Sequence, residues 1–217
     1  MGGALTGFVD GYCERTAPGL LDEPLNAATN LAFMLAAIVL WRLAARSGNQ
    51  GDRLVVLPIL LLFLTGVGSL AFHMLANRLS GALDILALSA CLLLTIYAAA
   101  RRGLGLGPGL ALAWPLAMLV CAGVAGWLVP LPGSGYLGAF VVGLAMAVAL
   151  LWHQRPGAFW VTGATVVFIP AYIMRAFDLP FCQSMPSGTH FGWHLLSALV
   201  LYLAIHPLAV RSHTLRR

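Results

Sequence analysis

The fold class the sequence predicts is an all-α membrane protein, a bundle of seven transmembrane helices, and three observations predict it. Of the 217 residues, 60% are apolar and only 9% are charged, whereas soluble domains carry roughly a quarter of charged residues. No soluble fold of this size can hide that much hydrocarbon, so the bilayer must act as the solvent. The apolar residues also gather into seven runs long enough to span as helices, and clusters rich in glycine, proline and polar residues separate the runs.

In order, the spans are expected at 26–46, 54–76, 82–100, 109–130, 135–153, 157–177 and 189–207. The turns between them fall at Ser47 to Gly51, Asn77 to Gly81, Gly103 to Gly109, Pro130 to Gly135, and Arg155-Pro156-Gly157. The chain reads as one domain, 1–217, without an internal repeat. Residues 1–20 lack a basic stretch followed by an apolar core, so no cleavable signal peptide is expected and the first span acts as its own insertion signal. Asn26, Thr29 and Asn30 open that first span and are expected to cap it or bond across to neighbours.

Seven spans put the termini on opposite sides. The face shared with the C-terminus carries Arg42, Arg46, Arg53, Arg101, Arg102, Arg155, Arg211, Arg216 and Arg217, against Arg15, Arg78 and Arg175 on the other. Positive residues stay inside, which makes the C-terminus cytoplasmic and the N-terminus external. The net charge of +5 comes from arginine alone, with no lysine. This points to a GC-rich bacterial genome, and then to an inner membrane whose outer side is the periplasm. No basic stretch interleaved with aromatics suggests a nucleic-acid partner. Trp114, Trp127, Trp152 and Trp160 lie near span ends and read as an interfacial belt.

The alternation of direction brings distant polar residues to one depth. Ser69 and His73 end the second span, Asp84 opens the third, and His190 and His194 open the seventh, all at the outer end. Ser69 and His73, like His190 and His194, stand four apart and share a helix face. Three neutral imidazoles can hold Zn²⁺ with one coordination position open, the arrangement of catalytic sites. Ionisable groups within a span are costly and by default functional. Asp84 is therefore expected to be a catalytic or supporting carboxylate beside a cation, whereas Arg175 and Asp178 are expected to pair structurally. His153, His206 and His213 fall toward the other end and read as interfacial or helix-terminal residues.

The segment from Asp10 to Asn26 gathers four carboxylates, Asp10, Glu14, Asp22 and Glu23. It reads either as a solvated capping loop or as a set of hard oxygen ligands suited to Ca²⁺. Cys13 and Cys182 both fall on the outer face, where an oxidising compartment permits a disulfide; Cys91 and Cys121 lie within spans as small apolar residues.

Several of these features occur together in one known family. Cys13-Glu14, Glu23-x-x-Asn26-x-x-x-Asn30-Leu31, Ser69-x-x-x-His73 with Asp84 eleven residues on, and His190-x-x-Trp193-His194 resemble the alkaline ceramidases. That family belongs to a seven-helix hydrolase superfamily which also holds adiponectin-receptor-like proteins, and the likeness runs along essentially the whole chain. The resemblance implies zinc on His73, His190 and His194, a catalytic pair of Ser69 and Asp84, and a Cys13–Cys182 disulfide. It also implies a calcium site on Glu14 and Glu23 with Asp10, Tyr12 and Thr16. The run Asp10-Gly11-Tyr12-Cys13-Glu14 carries one residue more than the family's Asp-Trp-Cys-Glu, and Thr16 takes the place of an asparagine. The implied activity is hydrolysis of ceramide to a sphingoid base and a fatty acid. Alternatives are a phospholipase-like amidase or esterase of the same superfamily, or a receptor or scaffold with structural zinc.

Overall fold

The computed structural model describes residues 5–210, and Arg211, His213, Arg216 and Arg217 of the readings above lie outside them. Among the described residues the fold is helical throughout. A short α1 (Pro24–Thr29) runs into α2 (Leu31–Arg46), followed by α3 (Arg53–Leu75), α4 (Arg78–Arg102) and α5 (Pro108–Leu128). A 3₁₀ turn at Ser134–Tyr136 leads into α6 (Leu137–Trp152), then α7 (Ala158–Ala176), a one-turn α8 (Asp178–Phe181) and α9 (His190–Ala209). Among the described residues seven stretches are long and apolar enough to cross a membrane, with α1–α2 counting as one and the 3₁₀ turn joining α6.

The expected spans are present, and their ends shift where capping chemistry decides them. The stretch from Asn77 to Gly81 was expected to be a turn. Instead Asn77 caps α4 by accepting from the Ser80 amide at 2.9 Å, while the Ser80 hydroxyl faces the Asn77 amide at 3.4 Å. That reciprocal box starts the helix four residues early. The break itself falls on Ala76, which ends α3 in a left-handed conformation.

Around the bundle, neighbours follow chain order from α2 to α7, and α9 closes the ring between α7 and α2 while also touching α3 and α4. Thus α9 is the most enclosed helix, and α3 lies beside it. The interior is lined by Phe33, Leu40, Leu62, Leu201 and Ile205 together with a set of buried polar side chains. The outer faces carry exposed leucine, valine and isoleucine along the helices, as expected of a fold whose surroundings are hydrocarbon. Trp127 and Trp152 project outward as belt residues, but Trp160 turns inward to stack on His206, and Trp114 packs against the α4–α6 core.

Helices α3 and α4 pass close at Gly68, where a Cβ would already touch the Asp84 backbone at 3.4 Å. This contact sets Ser69 of α3 beside Asp84 of α4. Over the same end lies the N-terminal segment, bonded through Val9 N to Ala76 O at 2.8 Å and Arg78 N to Gly7 O at 3.1 Å.

Candidate metal centre

His73 sits in the last turn of α3, and His190 and His194 occupy the first two turns of α9. All three are buried, and each offers one ligand atom within 4.8 Å of the others'. The expected convergence of the second and seventh spans is therefore present. These imidazoles form the one such group of histidine, cysteine and carboxylate ligands among the described residues.

The hydrogen bonds around the rings favour metal binding. The Nδ1 of His73 meets Glu23 Oε2 at 2.6 Å, and an ionised carboxylate can only accept, so Nδ1 carries the proton. His73 Nε2 is then a free lone pair, and it is buried with no hydrogen-bond partner. His194 Nδ1 meets the Thr29 hydroxyl at 3.0 Å. That hydroxyl has its own proton committed to the carbonyls of Leu25 and Asn26, at 2.8 and 3.1 Å. Its oxygen therefore accepts from His194, which leaves Nε2 basic. His190 Nδ1 is a further buried nitrogen without a partner. Buried polar atoms ordinarily find partners, and an orphaned His73 Nε2 with a ring nitrogen each of His190 and His194 close by fits a cation. An Nδ1–H anchored by a carboxylate or hydroxyl is the usual support for a metal-binding histidine.

Ser69 is buried and stands one turn before His73. The Asp84 carboxylate interacts with the Ser69 hydroxyl and lies within electrostatic reach of His73 and Arg175. The two expected catalytic residues are thus together, on the α3–α4 side of the imidazoles. A lid of aromatic rings closes over them. Tyr12 stacks on His190 at 3.8 Å between centroids and meets Phe72 edge-on at 6.1 Å.

Cys13 and Cys182 form a disulfide that ties the N-terminal loop to the segment after α8. Asp178, expected to pair with Arg175, instead caps the start of α9. Its Oδ1 accepts from the amides of Thr189 at 2.6 Å and His190 at 2.9 Å, and its Oδ2 accepts from Cys13 N at 3.0 Å. A carboxylate at those orphan amides satisfies the positive end of the helix and fixes His190. Gly188 turns the chain there with φ +63°, and a side chain at that position would collide with Asp178 and Cys13. Arg175 is left to bond the Tyr12 hydroxyl at 3.2 Å.

Among the described residues, Asp10, Glu14 and Glu23, the carboxylates expected at calcium, do not gather into one metal-binding group. Glu14 accepts from the amides of Leu25 at 2.7 Å and Asn26 at 2.8 Å, which caps α1. Thr16 donates through its amide and hydroxyl to Asp22, whose carboxyl is held low first by the amides of Ala17 and Thr16. Asp10 is exposed. The Tyr12 ring serves the aromatic lid. Burial pushes the Glu23 carboxyl up, but His73, Asn26 and Arg15 outweigh it and hold the group below its ordinary value. Sequence reasoning missed Arg15, a buried ion-pair partner of Glu23. The one available signal was a lone arginine within an acidic loop.

A cavity of about 800 Å³ lies at the opposite end of the bundle near Asn49, Arg102, Arg155 and His206 and is lined by none of the three histidines. A smaller one, about 230 Å³, lies beside the aromatic lid between Tyr12, Phe72, Pro132 and Arg175. Reactive side chains, and not volume, locate the site. Compared with known proteins, the chain matches no protein-family model and no curated protein.

Proposed function

We propose that this protein is a zinc-dependent hydrolase of the membrane interior that cleaves the amide bond of a ceramide-like lipid. The observation that carries the reading is the meeting of three buried imidazoles, two with unpartnered nitrogens, beside Ser69 and Asp84. Zinc held there supplies Lewis acidity to a carbonyl and makes water a competent nucleophile near neutral pH.

The chain's own groups divide the remaining work. Glu23 and Thr29 hold the His73 and His194 rings with their lone pairs inward. The Ser69 hydroxyl donates a hydrogen bond to the carbonyl oxygen as negative charge develops there. Asp84 takes the proton of the attacking water and delivers it to the amide nitrogen as the C–N bond breaks, releasing a fatty acid and a sphingoid amine. The amide substrate and the identity of the metal rest on the resemblance to alkaline ceramidases. The arginine asymmetry supports a cytoplasmic C-terminus and, with it, chemistry on the far side, in the periplasm for a bacterial protein.

The deciding experiment measures metal content of the purified protein and its turnover of ceramides and of ester-linked phospholipids, before and after metal stripping. Chelator-sensitive ceramide cleavage restored by zinc is expected. Turnover that survives complete stripping, or a metal-loaded protein that cleaves no lipid amide, would falsify the reading. Cleavage restricted to esters transfers it to a phospholipase-like activity.

A further inference from the structure

The oxygen-rich loop that the resemblance assigns to calcium already contains a cation. Arg15 is buried, with its side chain wholly inaccessible. Its Nε pairs with Glu23 Oε1. Its Nη1 donates to the carbonyls of Ala17 at 3.3 Å and Gly19 at 3.2 Å, and its Nη2 donates to the carbonyl of His73 at 2.7 Å. One carboxylate and three carbonyl oxygens from two segments of the chain thus surround a single guanidinium.

Ca²⁺ requires six to eight oxygens closing on one point, and here the oxygens close on Arg15. A second cation in the same cradle would face the guanidinium charge directly. Of the remaining acidic groups, Glu14 is committed to the start of α1 and Asp22 to the amides of Thr16 and Ala17, while Asp10 is exposed. We infer that Arg15 is this loop's built-in cation, taking the place of a divalent ion and positioning His73 through Glu23. The inference rests on the reading that the three histidines hold a metal.

The connection to His73 is direct at both ends of that residue. Arg15 holds one oxygen of Glu23, so that the other is presented to His73 Nδ1 at 2.6 Å and to Asn26 Nδ2 at 2.9 Å. Arg15 also grips the His73 carbonyl in the last turn of α3, where a helix has unpaired carbonyls and welcomes positive charge. Arg15 touches neither substrate nor metal in this arrangement and acts as a positioning residue. Lysine lacks the planar fork that reaches Glu23 and the carbonyls together.

The test titrates the full-length, metal-stripped protein with Co²⁺, followed by its visible absorption, in calcium-free buffer and with added Ca²⁺. Wild type is expected to bind Co²⁺ equally in both. Arg15→Ala is expected to bind roughly 10–100-fold more weakly, as when a histidine's supporting partner is lost. Methylguanidinium or Ca²⁺ entering the emptied cradle is expected to restore much of that affinity, which a merely unfolded loop would not permit. Should Arg15→Ala not fold, Arg15→Gln removes the charge while keeping hydrogen-bonding capacity, and the same loss and rescue are expected. Calcium-dependent Co²⁺ binding by wild type, or unchanged binding by the neutral variants, overturns the inference while leaving the histidine site intact. Wild type that takes no Co²⁺ in either buffer removes the metal reading itself, and this inference with it.

Discussion

The two ends of the bundle are built on different principles. At the histidine end fixed partners frame the site: Glu23 for His73, Thr29 for His194, Asp178 for the Thr189 and His190 amides, and a disulfide across the top. At the other end, arginines serve loop carbonyls and surface carboxylates. Arg101 bonds Leu106 O at 2.5 Å, Arg155 bonds Leu104 O at 3.0 Å, and Arg102 pairs with Asp52 while half exposed. The larger cavity lies at this second, looser end. Space alone therefore does not mark a reactive site; what marks it is the expense of holding unpartnered nitrogens in a rigid, dry frame.

Mutations can break that contrast. The largest effect is expected from His194→Ala, which should reduce bound metal to background by elemental analysis and abolish turnover. Ser69→Ala and Asp84→Asn should retain the metal and lower kcat, by about 10²–10³-fold for the hydroxyl donor and about 10²–10⁴-fold for the proton carrier. Wild-type kcat in Asp84→Asn would end its role in proton transfer. Thr29→Val removes only the oxygen that orients His194, and a loss of metal affinity of about tenfold or somewhat more is expected by competition with a chelating dye.

Other changes sharpen the comparison through stability. Cys13→Ser should cost about 2–5 kcal/mol against denaturant, with the histidine end opening first by hydrogen exchange. The smallest effect belongs to Arg102→Ala, whose exposed pair is worth at most about 1 kcal/mol and whose turnover should match wild type. A large catalytic loss in that variant would mean that the two ends are coupled, contrary to their separate construction.

Much of this was legible in the residues. Span positions followed from apolar runs, because in a bilayer the length of such a run is itself the structural constraint. The meeting of His73 with His190 and His194 followed from alternating direction and four-residue spacing. What escaped was tertiary choice among charged groups. Asp178 had Arg175 three residues away, yet it serves amides of α9 and of Cys13 that no local pattern reveals. Arg15 entered only as one of three arginines on the outer face, and only the fold shows it buried against Glu23. Helix ends moved for a related reason, as at Asn77, where a two-residue capping exchange outweighed a turn-like composition.

The division of the three imidazoles between α3 and α9 has a consequence for biosynthesis. His73 leaves the ribosome 117 residues before His190, and every intervening helix must enter the bilayer before the ring partners can meet. A product that stops before His190 thus carries only one of the three imidazoles. Whatever reactivity the histidines host is withheld until assembly is done.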